Sequence, residues 1–156
     1  MGEHQSVKTI GLKLLFPRRG EIWQINFEPA IGDEMKKTRP AVVISSDEVG
    51  ALNLKLAVPL TGWNPKFARS PWLVRIKPDR LNNLDKEDAA DTLQTRCLSI
   101  ERFVKRIGRV SDPALREILA ALAIVTDMDS DPVSQPVPDN TAQTTRENLT
   151  NDKKEP

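Results

Sequence analysis

Only one long segment of this chain has the periodicity of an amphipathic helix, and it follows a series of short strand-like runs. The segment SDPALREILAALAIVTD covers residues 111–127, where Asp112 can cap the helix and Pro113 fits its first position. A single helix cannot bury its apolar stripe alone, so it must cover a sheet. The stripe consists of Leu115, Ile118, Leu119, Leu122 and Val125.

The runs before the helix are predicted to be strands, because they are short, rich in apolar residues and separated by segments containing Gly, Pro or Asn. Pro59 predicts an edge or a bulge near the end of the third run. The predicted fold is mainly β with a C-terminal α-helix, a bent sheet or partial barrel plugged by that helix. The predicted strands are residues 21–27, 41–45, 54–61, 71–77, 92–100 and 105–110, with a helical turn at 101–104.

The scarcity of cysteine and histidine excludes several kinds of chemistry. Cys97 is the single cysteine, so an internal disulfide is impossible and a cytoplasmic location is expected. Its predicted place is in the core, as a small apolar residue. His4 is the single histidine and lies near the N-terminus. We therefore expect no zinc or other metal site, no cofactor, and no Ser-His or Cys-His catalytic pair.

Composition divides the chain into three parts. Residues 1–17 are interpreted as an N-terminal extension rather than a signal peptide, and residues 18–127 as one domain. Residues 128–156, rich in Pro, Asp, Asn and Thr, are predicted to be a disordered acidic tail. The thirty residues from Asp127 carry seven acids and three bases, a net charge of −4. Because the whole chain has a net charge of +1, residues 1–126 carry +5. Such a basic body permits a polyanionic partner, and no apolar run is long enough to predict a membrane span.

The stretch KKTRPAVVIS, residues 36–45, joins a cluster of cations to an apolar strand. Pro40 restricts the backbone of Arg39 to extended geometry, so the guanidinium starts from a fixed point. A guanidinium is a planar, permanently charged fork that matches phosphate oxygens. The alternative is a surface arginine that precedes a strand without a functional role.

Two further side chains are candidates for chemistry near Arg39. Thr61 ends the run AVPLT, where its hydroxyl could bond a phosphate oxygen or simply cap a turn. Glu34 is the carboxylate nearest to Arg39 in the loop GDEMKK, and it could orient that arginine or accept a proton from a hydroxyl. The alternative for Glu34 is an ordinary loop acid.

Aromatic and cationic residues alternate in the loop GWNPKFARS. This mixture suits single-stranded nucleic acid, whose bases stack and whose phosphates pair with cations, but it also suits aromatics folded back onto the core. Gln94 and Arg96 are predicted to share one face of a strand. The candidate RNA-binding residues are Lys36, Lys37, Trp63, Lys66, Phe67, Arg69, Gln94 and Arg96.

Together these segments resemble the MazF/PemK family of toxin endoribonucleases. The resemblance is carried by RGEIW, by the block from Gly32 through RPAVVI, by PLT at the strand end, and by LQTRCLSIERFVKRIGRVSD. It covers nearly all of residues 18–127 and implies an SH3-like, partly open barrel of the CcdB/MazF type. The loop residues Asp33, Met35, Lys36 and Lys37 depart from the usual family pattern, which affects the expected RNA motif and not the fold.

The resemblance also implies a function. Members of the family cut single-stranded RNA without a metal, leave a 2′,3′-cyclic phosphate and a 5′-OH, form homodimers, and inhibit growth until a cognate antitoxin covers the RNA groove and binds DNA with them. The family's catalytic pair falls on Arg39 and Thr61, its loop glutamate on Glu34 and its strand glutamine on Gln94. In this reading Arg39 and Thr61 stabilise charge on the phosphoryl oxygens, and Glu34 is the base or the orienting group.

Three alternatives remain at this point. The chain could be a non-enzymatic, CcdB-like gyrase poison on the same fold, or an inactive RNA-binding barrel. A separate hypothesis is that residues 127–139 of the acidic tail fold over the basic groove and lower activity, whereas a solvated tail would have no such effect.

Overall fold

The computed structural model describes residues 16–49 and 52–128, and within them seven strands precede one helix. The helix, α1, is Asp112–Val125, and four short 3₁₀ helices lie between strands at Asp47–Val49, Pro65–Arg69, Thr92–Gln94 and Ile100–Arg102. The strands are β1 Glu21–Asn26, β2 Thr38–Val43, β3 Leu54–Gly62, β4 Leu73–Ile76, β5 Asp88–Asp91, β6 Arg96–Ser99 and β7 Phe103–Arg109.

All strand pairs are antiparallel, in the order β4-β5-β3-β2-β1-β7, and β6 pairs with the first half of β3. The sheet bends along β3, which changes partner from β6 at Leu54–Ala57 to β5 at Leu60–Gly62. Pro59 lies in the gap between these two partners, where its missing N–H breaks no ladder bond on that side. This mainly antiparallel, open sheet with a C-terminal helix confirms the predicted fold class.

Two apolar clusters lie on opposite faces of the sheet, because side chains alternate along each strand. The first is covered by α1 and contains Ile22, Val42, Val58 and Ile118. Each buried aliphatic side chain of this kind contributes about 1.5–3 kcal/mol to folding. The second cluster contains Trp23, Ile25, Phe27, Ala41, Val43, Ala57 and Leu98, with Phe103 packed against it. The central strand β2 is therefore apolar on both faces, as the run AVVIS predicts.

The predicted fifth strand, residues 92–100, is wrong at its N-terminal half. Thr92–Gln94 forms a 3₁₀ turn, and the strand before it, Asp88–Asp91, has the sequence DAAD. Aspartate and alanine have low β propensity, so pairing with β3 and β4 determines this strand rather than its own residues. Consequently Gln94 and Arg96 do not share a strand face.

Two smaller predictions are also corrected. Cys97 is exposed, because it alternates with Arg96 and Leu98 on β6 and so faces away from the second cluster. The N-cap of α1 is Ser111, whose hydroxyl accepts a hydrogen bond from the Ala114 N–H at 3.3 Å, and Asp112 is already helical. The apolar stripe is confirmed, since Ile118 is buried in the first cluster and Leu115, Leu119 and Leu122 pack against it.

Most of the predicted extension and tail, residues 1–15 and 129–156, lies outside the described residues, so the prediction of three parts stays a prediction. None of the helices in the described ranges is long and apolar enough to span a membrane.

Candidate active site

Arg39 is the second residue of β2 and not a loop residue before the strand, since β2 begins at Thr38. Its backbone pairs with Ile25 of β1, so both its neighbour Pro40 and the sheet fix its position. The guanidinium Nε donates a hydrogen bond to the Lys36 carbonyl at 2.8 Å. Among residues 16–49 and 52–128, no hydrogen bond or ion pair engages its two terminal nitrogens. The side chain is therefore held in one direction, and its two terminal nitrogens still offer donors that can bind an oxyanion.

Thr61 lies near the end of β3, the strand that pairs with β2. The ladder between β2 and β3 pairs Val43 with Ala57 and Ala41 with Pro59, where it ends. Arg39 and Thr61 each lie two residues beyond that last pair, at the same end of the ladder. Thr61 is half-buried, and its hydroxyl forms no hydrogen bond within the described ranges. Both residues that the sequence singled out therefore lie near the same end of the β2–β3 ladder, and their joint role stays a prediction.

The face that carries this pair is the face of the second apolar cluster. Ala41 and Ala57 belong to that cluster, and alternation places Arg39 and Thr61 on their side. Phe27 also belongs to it, and its ring lies 5.9 Å from the Arg96 guanidinium carbon. The side chains of this apolar cluster lower the local dielectric constant, so charges at the edge of the cluster interact more strongly than in bulk water.

Residues 27–37, which we call the clamped loop, connect β1 to β2. Gly32 and Lys37 adopt positive φ values of 56° and 68°, so the chain reverses sharply at both points. The Glu28 carboxylate accepts hydrogen bonds from the Ala30 and Lys37 N–H groups at 3.2 and 2.9 Å. This carboxylate therefore closes the base of the loop.

Glu34 contacts the loop and Arg96, and not Arg39. Its carboxylate accepts the Ile31 N–H at 3.1 Å and lies 4.0 Å from Arg96 Nη1. The expectation that Glu34 orients Arg39 is therefore wrong, because the Lys36 carbonyl holds that guanidinium. About half of the Glu34 side chain is exposed (47%), so one side of the carboxylate still reaches solvent.

Gln94 also contacts the clamped loop. Its Oε1 accepts the Met35 N–H at 2.9 Å, and its Nε2 donates to the Asp33 carbonyl at 2.9 Å. Arg96 donates to the Phe27 carbonyl at 3.3 Å. Both residues use polar groups to hold the loop, and the prediction that they bind RNA stays a prediction.

Arg102 is a residue of this site that the sequence did not indicate. Its Nη1 donates hydrogen bonds to the Asn26 and Glu28 carbonyls. It lies in the short turn between β6 and β7, where an arginine has no pattern that predicts a distant partner. Three side chains from one short segment, Gln94, Arg96 and Arg102, thus support the clamped loop.

The clamped loop carries charges of both signs. Its acids are Glu28 and Glu34, which accept backbone N–H groups, and the exposed Asp33. Its bases Lys36 and Lys37 are exposed and form no ion pair with another described residue. Together with Arg39, these two lysines place three cations at the start of β2, and such a local cluster attracts an anion such as a phosphodiester.

Residues 62–71, which we call the aromatic loop, follow Thr61 and are organised locally. Trp63 and Phe67 contact edge to face, with ring centroids 6.0 Å apart. The Asn64 side chain caps the 3₁₀ helix by accepting the Lys66 N–H at 3.0 Å. Lys66 and Arg69 are exposed, and Trp63 and Phe67 are half-buried, so this loop keeps both a stacking surface and cations.

Trp63 is also fixed from its other side. The guanidinium carbon of Arg75 lies 5.1 Å from its ring centroid, and Arg75 forms an ion pair with Glu87 at 2.6 Å. The backbone N–H of Trp63 donates to the Glu87 carbonyl at 3.0 Å. The indole is therefore held in place, with only part of its surface used by the protein.

A groove of about 500 Å³ opens on the opposite face of the sheet. Gln24, Pro40, Asp88 and Lys105 are among its lining residues, and burial raises the pKa of Asp88. Because Pro40 alternates with Arg39, this groove does not face the Arg39 guanidinium. Within the described ranges, no three His, Cys, Asp or Glu side chains are grouped so that they could hold a metal ion.

Comparison with known proteins places these features in a family. The PemK-like, MazF-like toxin family of type II toxin–antitoxin systems matches residues 18–126. The endoribonuclease MazF9 of Mycobacterium tuberculosis is 35% identical over 117 residues, which are 71% of this chain and 97% of that protein.

Solved structures show the same fold. MazF from Deinococcus radiodurans superposes with a TM-score of 0.61 at 24% identity, covering 72% of this chain and 97% of that one. An endoribonuclease from a mycobacterial species, solved in complex with its cognate antitoxin, gives a TM-score of 0.59 at 17% identity and covers 74% and 100% of the two chains.

Proposed function

Because this chain belongs to the PemK-like, MazF-like family of type II toxins, we propose that it is a metal-independent endoribonuclease that cuts single-stranded RNA at short sequence motifs. It is the toxin of a toxin–antitoxin pair, and it acts in the cytoplasm. Its relative MazF9, an endoribonuclease that matches along nearly its whole length, supports this proposal. The catalytic domain corresponds to residues 18–127.

The observation that supports the proposal is that Arg39 and Thr61 lie two residues beyond the same end of the β2–β3 ladder. Within the described ranges, the terminal nitrogens of Arg39 and the hydroxyl of Thr61 have no protein partner. Two fixed donors on one face suit the phosphoryl oxygens of a single phosphodiester.

In the proposed reaction the 2′-OH of the RNA attacks the adjacent phosphorus. The bond from O2′ to phosphorus forms and the bond from phosphorus to O5′ breaks, which leaves a 2′,3′-cyclic phosphate and a 5′-OH. The 2′-OH gives up its proton and the leaving O5′ gains one. Arg39 and Thr61 donate hydrogen bonds to the phosphoryl oxygens as negative charge grows there.

Glu34 is the proposed acceptor of the 2′-OH proton. Its carboxylate is partly exposed on the clamped loop and lies 4.0 Å from Arg96 Nη1. Arg39 is protonated at every working pH, so it serves as a donor and not as the base. No step in this scheme needs a metal ion, because the RNA supplies its own nucleophile.

RNA on either side of the cut is bound by the two loops. Lys36 and Lys37 of the clamped loop pair with phosphates, while Trp63 and Phe67 of the aromatic loop offer ring surface to bases. Lys66 and Arg69 add phosphate contacts next to those rings. These contacts tolerate many sequences, so selection of the motif falls to the clamped loop around Met35.

The proposed protein partners are a second copy of this chain and a cognate antitoxin. Solved relatives include a MazE–MazF complex of D. radiodurans and the mycobacterial endoribonuclease with its antitoxin. An acidic antitoxin segment would complement the cations at Lys36, Lys37 and Arg39. Residues 128–156, proposed as a disordered acidic tail, could compete for the same cations.

The deciding experiment is incubation of the full chain with a long RNA in EDTA, followed by mapping of cut sites and end groups. Cleavage at a short motif with 2′,3′-cyclic phosphate ends is the expected result. A folded protein that leaves RNA intact while it blocks gyrase would contradict the proposal and favour a CcdB-like poison. RNA binding without cleavage would instead indicate an inactive barrel.

A further inference from the structure

We propose that Gln94 is a positioning residue, which acts on RNA only by fixing the backbone of the clamped loop on both sides of Glu34. This inference rests on the proposed function, because it concerns how the same site selects and cuts RNA. The resemblance alone places Gln94 in the RNA-binding groove. The geometry instead points to a side chain that is engaged before any RNA arrives.

Both ends of the Gln94 amide are used, and their partners are backbone atoms. Oε1 accepts the Met35 N–H and Nε2 donates to the Asp33 carbonyl, each at 2.9 Å. The two partners flank Glu34, so one side chain fixes the peptide groups before and after that residue. A primary amide carries its acceptor oxygen and its donor nitrogen on one carbon, so a single side chain makes both bonds at once.

The platform that carries Gln94 is rigid. The 3₁₀ turn Thr92–Gln94 packs against α1, and Thr92 is almost completely buried at 1% exposure. The Thr92 hydroxyl and N–H both donate to the Trp72 carbonyl, at 2.8 and 3.1 Å. The loop tip is thus tied through Gln94 to the helix-covered core, and not only to its own strands.

This tie has a consequence for recognition. Met35 and Lys36 lie beside the two hydrogen bonds of Gln94, which we call the clamp, and the Lys36 carbonyl in turn accepts a hydrogen bond from Arg39. A shift of the loop tip would therefore move the residues that face a base and would also release the guanidinium. Gln94 thereby links the choice of cut site to the placement of the donor that stabilises the reacting phosphate.

Amide hydrogen exchange in the intact protein tests the clamp without any RNA. The Met35 N–H should be protected, whereas the Lys36 N–H, which has no partner among the described residues, should exchange quickly. Gln94→Leu, similar in size but unable to hydrogen-bond, should speed Met35 exchange about tenfold or more. Gln94→Glu retains the acceptor and loses the donor, so it should fall between the two. Leu93→Ala, at an exposed neighbour in the same turn, is the matched control and should leave Met35 exchange unchanged.

Cleavage assays then separate positioning from direct contact. For Gln94→Leu we expect kcat to fall about tenfold while RNA affinity stays within about twofold, because Lys36 and Lys37 still supply charge, and the cut-site motif should broaden. Loss of RNA affinity with unchanged Met35 exchange would overturn the proposal in favour of a direct contact.

The parent protein alone can also overturn the proposal, if its Met35 and Lys36 amides exchange equally fast. If the parent fails to cut RNA, the proposed function fails, while Met35 protection still decides whether the clamp exists.

Discussion

The clamped loop and the aromatic loop lie at neighbouring strand ends and are built in different ways. Residues 27–37 have no regular structure and are held by side chains more than fifty positions away, as in the Gln94 bonds at sequence separations of 59 and 61. Residues 62–71 contain a 3₁₀ helix with its own Asn64 cap and its own aromatic pair. One loop depends on the fold for its shape, and the other largely shapes itself.

This difference indicates a division of labour. A loop held by long-range bonds is fixed relative to the core, so it suits groups that must meet a reacting phosphate within a fraction of an ångström. The second loop forms its 3₁₀ helix and its aromatic pair locally, while Arg75 and Glu87 hold Trp63, and its mixture of rings and cations suits sequence-tolerant contacts with bases. Changes near the first loop should therefore affect kcat, and changes in the second should affect affinity.

The largest expected effect on cleavage is at Arg39, whose guanidinium is held by the Lys36 carbonyl of the clamped loop. Arg39→Ala should lower the cleavage rate about 10²–10³-fold, because a preorganised donor to the phosphoryl oxygens is lost. Arg39→Lys retains the charge but not the fork, so it should recover only part of the rate. Thr61→Val, which keeps the shape and removes the hydroxyl, should also lower the rate. Single-turnover cleavage of a mapped RNA site is the measurement, and full activity in a folded Arg39→Ala variant would rule out the assignment.

Arg102 provides a test of the clamped loop away from the reacting groups. Arg102→Ala removes the hydrogen bonds to the Asn26 and Glu28 carbonyls and should reduce kcat about tenfold. RNA affinity should change much less, since Lys36 and Lys37 remain. Arg116→Ala, an exposed arginine of α1, is the control for the loss of one positive charge. Equal losses in the two variants would show that net charge, and not loop support, causes the effect.

The aromatic loop should give the opposite pattern. Trp63→Ala should weaken binding of single-stranded RNA by about 1–3 kcal/mol with little change in cut-site preference, because stacking tolerates any base. Removing Lys66 or Arg69 should each make the salt dependence of binding shallower by about 0.7 in the log–log slope. Fluorescence titration with RNA at several salt concentrations measures both effects. A large fall in kcat at unchanged affinity would contradict the division of labour.

The smallest expected effect concerns Asp91, which precedes the turn that carries Gln94. Burial raises the pKa of this carboxyl above its ordinary value, although the Leu93 and Gln94 N–H groups oppose the shift. One of its oxygens is buried without a hydrogen-bond partner among the described residues. Because the folded-state pKa is raised, ionised Asp91 costs stability at neutral pH, and that cost disappears as pH falls below the unfolded-state value. Asp91→Asn should therefore unfold at a slightly higher temperature than the parent at pH 7, with no difference near pH 3.5.

Much of this organisation is encoded locally and could be predicted. The runs at 21–27, 41–45 and 54–61 gave β1, β2 and β3 within a few residues, because each has a continuous apolar or alternating pattern. The Arg-Pro dipeptide marked Arg39, and the helical period marked the stripe of α1. In these cases periodicity or backbone restriction acts over a few neighbouring residues.

The sequence by itself determined the mainly β order of elements and the closing helix, and it singled out Arg39 and Thr61 as the proposed catalytic pair. Only the tertiary structure decided that DAAD is a strand, that Cys97 is exposed, and that Gln94, Arg96 and Arg102 hold the clamped loop. The physical reason is the distance along the sequence over which each interaction acts. A pattern of side chains within a strand or helix is fixed by local geometry, whereas a hydrogen bond across some sixty residues exists only after the sheet has brought its two ends together.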